Sequence, residues 1–286
     1  MRSALILLFT FVGFLANAQK QITIEDIYNG TFAEEDLGSL NWMNDGRFYT
    51  ALISNQVVKF DVTTGKEVAV LANGNTLKIS INDYYFSEDE TKIIFLTNKK
   101  GIYRRSYTGE YYIYTFANKE LRKVSENGRQ SYVTFSPDNT KVAFVRDNNL
   151  FYADLKTKKE YAVTKDGMAG KIINGSSDWV YEEELKLTKA FEWSPDGKKI
   201  AYLRFDESEV KEYNLQYWDE GAKYPRDYRY KYPKTGEKNS VVTVHIFDMG
   251  TSKTLPVDLG KDTDVYIPKI QWTKNPNLLS IMQLTR

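Results

Sequence analysis

The feature that most constrains this chain is a five-residue turn that keeps returning. It reads Trp42-Met43-Asn44-Asp45-Gly46, then Phe86-Ser87-Glu88-Asp89-Glu90, then Phe135-Ser136-Pro137-Asp138-Asn139, then Trp193-Ser194-Pro195-Asp196-Gly197. A degenerate fifth copy begins at Trp272-Thr273-Lys274-Asn275-Pro276. Proline presets φ at the first corner of such a turn, and Asp, Asn or Gly tolerate the next. An alternating apolar run follows each full copy, as at Val142, Phe144, Ile200 and Tyr202, which is the period of a strand. A second hairpin follows most copies: residues 57–62 turn at Thr64-Gly65, residues 150–155 near Thr157-Lys158, and residues 242–248 at Gly250-Thr251. Four strands per repeat of roughly 40–50 residues is the pattern of a propeller blade. One blade cannot bury both faces, so neighbours stack around an axis. A β-sandwich also has short, turn-linked strands, but the recurring aromatic-Ser-Pro-Asp turn favours an all-β propeller. About five units are present, and the last stops inside a strand at 281–286, which predicts an incomplete propeller.

The long gap between the third and fourth turns breaks the pattern. It holds Asp178-Trp179-Val180-Tyr181-Glu182-Glu183-Glu184-Leu185, which does not alternate. Asp178 can cap a helix start, and carboxylates suit the first turns of a helix, so the segment predicts a short helix inserted in a blade. Adjacent helical residues sit about 100° apart, so two neighbouring Glu can face one space and together accept the three donors of an ammonium. On spacing alone the run reads first as an ordinary solvated helix start.

At this point the chain resembles a known family. Asp178-Trp179-Val180-Tyr181-Glu182-Glu183-Glu184, the Trp193 turn, and Ala201-Tyr202-Leu203-Arg204-Phe205-Asp206-Glu207-Ser208-Glu209-Val210 are similar to the N-terminal propeller portion of dipeptidyl peptidase IV, a prolyl oligopeptidase-type serine peptidase. The resemblance implies eight four-stranded blades in the full family fold, of which this chain holds about five. It implies that the last two residues of the Glu triplet, Glu183 and Glu184, bind a substrate's free amino terminus. Tyr103-Arg104-Arg105-Ser106-Tyr107-Thr108 resembles the family segment whose Arg contacts the substrate and helps fix the Glu pair. That role maps to Arg104, with Arg105 standing where the family more usually has His. The Tyr- and Pro-rich stretch 215–236 resembles an arm that takes part in dimerisation, which implies a homodimer in full-length form; as bare sequence it is also an ordinary long loop.

The implied activity is release of X-Pro or X-Ala dipeptides from peptide amino termini. Its machinery is not expected in this stretch. No Gly-x-Ser-x-Gly occurs, and the 1 His, His245, sits in a strand pattern without Ser or Asp partners. The chain by itself is therefore expected to be inactive, with the α/β-hydrolase domain lying elsewhere. The alternative is a non-catalytic propeller that binds peptides or partners. No metal-ligand cluster or phosphate loop is present, so no cofactor is expected. Lys+Arg 39 against Asp+Glu 38 leaves no electrostatic reason to expect nucleic acid. Arg2, the apolar run 4–15 and Ala16-Asn17-Ala18 read as a cleaved signal peptide over 1–18. The mature propeller then begins at Gln19, in the periplasm or outside the cell, with no membrane span remaining. The chain has 0 Cys, so its core alone holds it.

Overall fold

The computed structural model describes residues 21–34 and 38–285. The expected signal peptide lies outside the described residues. Two compact units are present, divided after Gly38. The first holds one short helix, α1 (Ile24–Tyr28), started by a reciprocal capping box between Thr23 and Asp26.

The second unit is a series of antiparallel sheets. Strands β1 (Leu40–Trp42), β2 (Phe48–Ile53), β3 (Gln56–Asp61) and β4 (Glu67–Asn73) form the first blade in sequential order. A one-turn helix, α2 (Gly74–Leu77), follows it. The second blade is β5 (Ile81–Phe86), β6 (Lys92–Gly101), β7 (Tyr107–Thr115) and β8 (Glu120–Lys123). The third is β9 (Ser131–Phe135), β10 (Lys141–Arg146), β11 (Asn149–Asp154) and β12 (Glu160–Ala162). The propeller pattern expected from the repeats is what folds.

In the second, third and fourth copies the recurring turn is the same device. Ser87, Ser136 and Ser194 are buried, and each hydroxyl donates to the Asp two residues on, at 2.6, 2.5 and 2.6 Å. Each hydroxyl also accepts the amide of the next strand's first residue, Lys92, Lys141 or Lys199, at 2.9–3.0 Å. The fifth residue of each full copy is left-handed: Gly46, Glu90, Asn139 and Gly197 have φ of 66°, 54°, 53° and 66°. The turn therefore hands the chain from one strand to the next without leaving a polar group unpaired.

Alternation along the second strand of each blade feeds two cores at once. Ile93 and Phe95 pack with Val57, Ala72 and Tyr84, while Ile94 and Leu96 pack with Val133, Val142 and Phe144. Ala143 and Val145 face Phe191, Ile200 and Tyr202 on the other side. Each interface between blades is thus a separate apolar layer, and a period of two residues supplies both faces of a sheet. The turn-leading tryptophans add a polar tie. The Trp193 indole N–H donates to Thr134 O at 3.3 Å, and that of Trp272 to Glu192 O at 3.2 Å.

The fourth blade is where the repeat breaks. Its innermost strand comes in two pieces, β13 (Ile172–Asn174) and β14 (Phe191–Trp193). Both pair with the same neighbour, β15 (Lys199–Asp206), which continues through β18 (Val241–Asp248) to β19 (Lys253–Pro256). Helix α3 (Trp179–Leu185) lies between the two pieces, as the sequence predicts. The 215–236 excursion contains a hairpin of its own, β16 (Glu212–Tyr217) with β17 (Arg226–Lys231). A fifth sheet begins with β20 (Val265–Trp272) and β21 (Leu279–Thr285). No helix of the described residues is long and apolar enough to cross a membrane.

Candidate functional site

The interruption of the fourth blade is built to hold a helix in place. The chain leaves the strand at Gly175, whose φ of +75° suits glycine, and a Cβ there would stand 3.2 Å from both Leu150 and Val145. It rejoins at Ala190, whose N–H donates to Gly175 O at 2.9 Å. Gly175 N and Ala190 O also bond to Leu203 O and N on β15, at 3.0 and 2.9 Å. The ladder is thereby continuous across the insertion.

Inside it, α3 is fixed at both ends. Asp178 caps the helix by accepting Tyr181 N at 2.9 Å, and its other oxygen accepts the Ser240 hydroxyl at 2.6 Å. Burial pushes the Asp178 carboxyl above its ordinary range, against the pull of those donors. Tyr181 is 1% exposed, packs edge-on against Phe205 at 4.9 Å, and accepts Ile267 N at 2.9 Å through its hydroxyl. Lys186, left-handed at φ 56°, ends the helix.

The three Glu then take three different roles. Glu182 is 1% exposed, and one carboxylate oxygen accepts the backbone amides of Arg105 at 2.6 Å and Ser106 at 2.9 Å. The Arg105 guanidinium returns a bond to Glu182 O at 3.2 Å. The helix is thus stapled to the 103–106 loop of the second blade, which arrives from more than seventy residues away. Glu183 lies at the edge of this junction, with its side chain 20% exposed; its carboxylate is 3.8 Å from Arg104 and 3.5 Å from Arg105. Glu184 is exposed and makes no ion pair among the described residues. Of the three residues singled out from sequence, the structure brings Glu183 and Arg104 together and leaves Glu184 facing outward beside them.

Glu182 is the residue that sequence reading missed. Asp178, Tyr181, Glu182 and Leu185 stand at i, i+3, i+4 and i+7, one face of a helix. That spacing places Glu182 inward with Tyr181 and turns Glu183 and Glu184 away. The two arginines also divide their work. Arg105 is partly committed to the helix backbone, whereas the Arg104 side chain is 72% exposed and free to reach outward.

Behind the loop lies a cavity of about 690 Å³, bordered by Tyr103, Ser106, Gly170, Ser176, Ser177 and Glu207. Glu207 is 6% exposed; burial, with the nearby Asp178 charge, pushes its carboxyl up to about 7. His245 lies on β18, stacked on Tyr202 at 5.4 Å and bonded to Thr243 at 2.9 Å. Burial holds its pKa below the ordinary value. Asn174 heads an Asn-Gly-Ser sequon but is 0% exposed, so its amide is closed to glycosylation in the folded chain. Among the described residues no group of three or more His, Cys, Asp or Glu is placed to hold a metal.

Residues 87–286 match the family described as the dipeptidyl peptidase IV (DPP IV) N-terminal region. The chain belongs to the dipeptidyl peptidase IV family. It is 31% identical over 267 residues to the prolyl endopeptidase FAP of Mus musculus, covering 91% of this chain and 35% of that one. It is 32% identical over 247 residues to dipeptidyl peptidase 4 of Trichophyton rubrum, covering 82% of this chain and 31% of that one. It superposes on the crystal structure of Porphyromonas gingivalis dipeptidyl peptidase 4 with a TM-score of 0.86 and 36% identity, over 93% of this chain and 39% of that chain. The chain therefore spans about a third of the length of the curated dipeptidyl peptidase IV relatives it matches.

Proposed function

We propose that this chain is the part of a dipeptidyl peptidase IV-like serine exopeptidase that grips a peptide's free amino terminus. Glu183 and Glu184 accept the ammonium, and Arg104 reaches for the backbone carbonyl next to it. In this reading the triad that cuts sits in an α/β-hydrolase domain outside this chain, the released dipeptides end in Pro or Ala, and the protein is exported to the periplasm or beyond. The observation that carries the reading is Glu183, a partly exposed carboxylate held between Arg104 and Arg105 on a helix whose backbone is itself tied to the arginine loop. An ammonium offers three donors and two carboxylates can share them, so a terminus that is blocked or one residue too far away would leave charge unpaired at a cost. The pair measures distance as well as charge.

The test is release of a Gly-Pro reporter by the intact protein, compared with the same reporter acetylated at its amino terminus. Glu183→Gln is expected to lower kcat/KM by about 10- to 100-fold, the worth of one charge-assisted hydrogen bond. It should also narrow the preference for the free amine. Unchanged turnover with an unchanged preference would remove the Glu pair from the site.

A further inference from the structure

We propose that Tyr230, on the β16–β17 hairpin, is a positioning residue that sets how tightly the clamp holds a peptide amino terminus. This rests on the clamp reading above. The two halves of the clamp come from distant parts of the chain, the 103–106 loop and helix α3. The Glu182 carboxylate is one tie between them, and Tyr230 supplies a second. Its ring lies 6.0 Å from that of Tyr103, the neighbour of Arg104, and 6.3 Å from that of Trp179, the first residue of α3. Both pairs fall in the range where aromatic rings attract beyond simple burial.

The ring does not stand alone. Tyr232 packs edge-on against Tyr230 at 5.8 Å and lies 4.1 Å from Trp179, and Tyr213 meets Tyr232 from the opposite strand at 5.5 Å. The hairpin is closed at its root, where Lys231 Nζ donates to O of the buried Val210 at 2.7 Å and Tyr232 N to Lys211 O at 2.9 Å. A rooted hairpin thus presses one aromatic surface against both halves at once. Recognition of an ammonium by carboxylates and of a carbonyl by a guanidinium tolerates errors well under 1 Å. A ring that fixes the spacing of the two halves therefore acts on affinity. It touches no part of the peptide itself.

The experiment uses the intact protein with a free-amine Gly-Pro reporter, and follows KM and kcat separately. Tyr230→Ala is expected to raise KM about three- to tenfold, the worth of the two ring contacts, with kcat within about twofold. Tyr230→Phe keeps the ring and should restore the wild-type KM. Tyr230→Leu keeps apolar bulk for folding and should still raise KM, so the test survives if the alanine variant does not fold. Wild-type KM in Tyr230→Leu or Tyr230→Ala would overturn the proposal. So would a KM rise that vanishes at higher protein concentration while light scattering reports a recovered mass, because the effect would then belong to association. Glu183→Ala is run alongside. Its loss of free-amine preference with Tyr230 variants unaffected sinks only the present inference, whereas an inert Glu183→Ala sinks the clamp reading itself.

Discussion

Replacing Glu182 tests whether the clamp is assembled by a buried carboxylate. Its Oε1 takes two amide hydrogen bonds, at 2.6 and 2.9 Å, in a site where Glu182 is 1% and Ser106 7% exposed. Hydrogen bonds to a charged group contribute about 1.5–3 kcal/mol each, and a buried donor left alone costs about 1–3 kcal/mol. Glu182→Ala strands both donors. Partial relaxation of the half-exposed Arg105 leaves an expected loss of about 3–5 kcal/mol in the local opening free energy. Glu182→Gln keeps the acceptor and gives up the charge. Since charged hydrogen bonds are roughly twice as strong as neutral ones, it should lose about 1–2 kcal/mol. Native-state hydrogen exchange at the Arg105 and Ser106 amides reads this, because Glu182 accepts both of those protons in the folded chain. The expected order of protection is wild type, then Gln, then Ala. Protection in the Ala variant within about 0.5 kcal/mol of wild type would refute the staple, and with it the assignment of Glu182 to assembly.

Two further outcomes follow from buried groups nearby. Glu207 titrates at about 7 in the folded chain against an ordinary 4.5, so the folded state holds its proton more tightly than the unfolded one. The stability it contributes is full below about 4.5 and is lost as pH rises through about 7. Thermal melting from pH 5 to 8 should show Glu207→Gln escaping a loss on the order of 3 kcal/mol that the wild type suffers, and parallel pH profiles would contradict it. Tyr181→Phe removes the acceptor of the buried Ile267 amide and should cost about 1–3 kcal/mol in denaturant unfolding, with activity retained in whatever fraction stays folded.

Much of this fold can be read before any coordinates. The Ser-x-Asp turns announce themselves because one hydroxyl and one carboxylate satisfy the whole corner, and local chemistry of that kind leaves a fixed spacing in the chain. Helix α3 is visible for the same reason, through Asp178 and the failure of the strand period. What stays hidden is whatever depends on distant partners. β13 and β14 are three residues each, too short to show alternation, and only their shared pairing with β15 makes them one strand. The hairpin 212–231 hides behind its Pro and Tyr content, since its strands pair only with each other and the rings of Tyr103 and Trp179 that Tyr230 meets lie far away in sequence. Glu183 could be placed beside Arg104 only by family resemblance. Glu182, in contrast, could have been turned inward by helical spacing alone, but a carboxylate on a buried face runs against the expectation for its residue type.

The meeting of Gly175 and Ala190 has a consequence for how such a protein can change. Because the two ends of the insertion bond to each other and to Leu203 as an unbroken ladder would, the register of the blade is set outside the segment spliced between them. The segment behaves as a cartridge. Its outward face can be rewritten while the sheet keeps its register, provided that the glycine at the exit, the small residue at the return and the inward residues Asp178, Tyr181 and Glu182 are kept. Selectivity for one kind of peptide end over another can therefore drift quickly in a scaffold that scarcely moves.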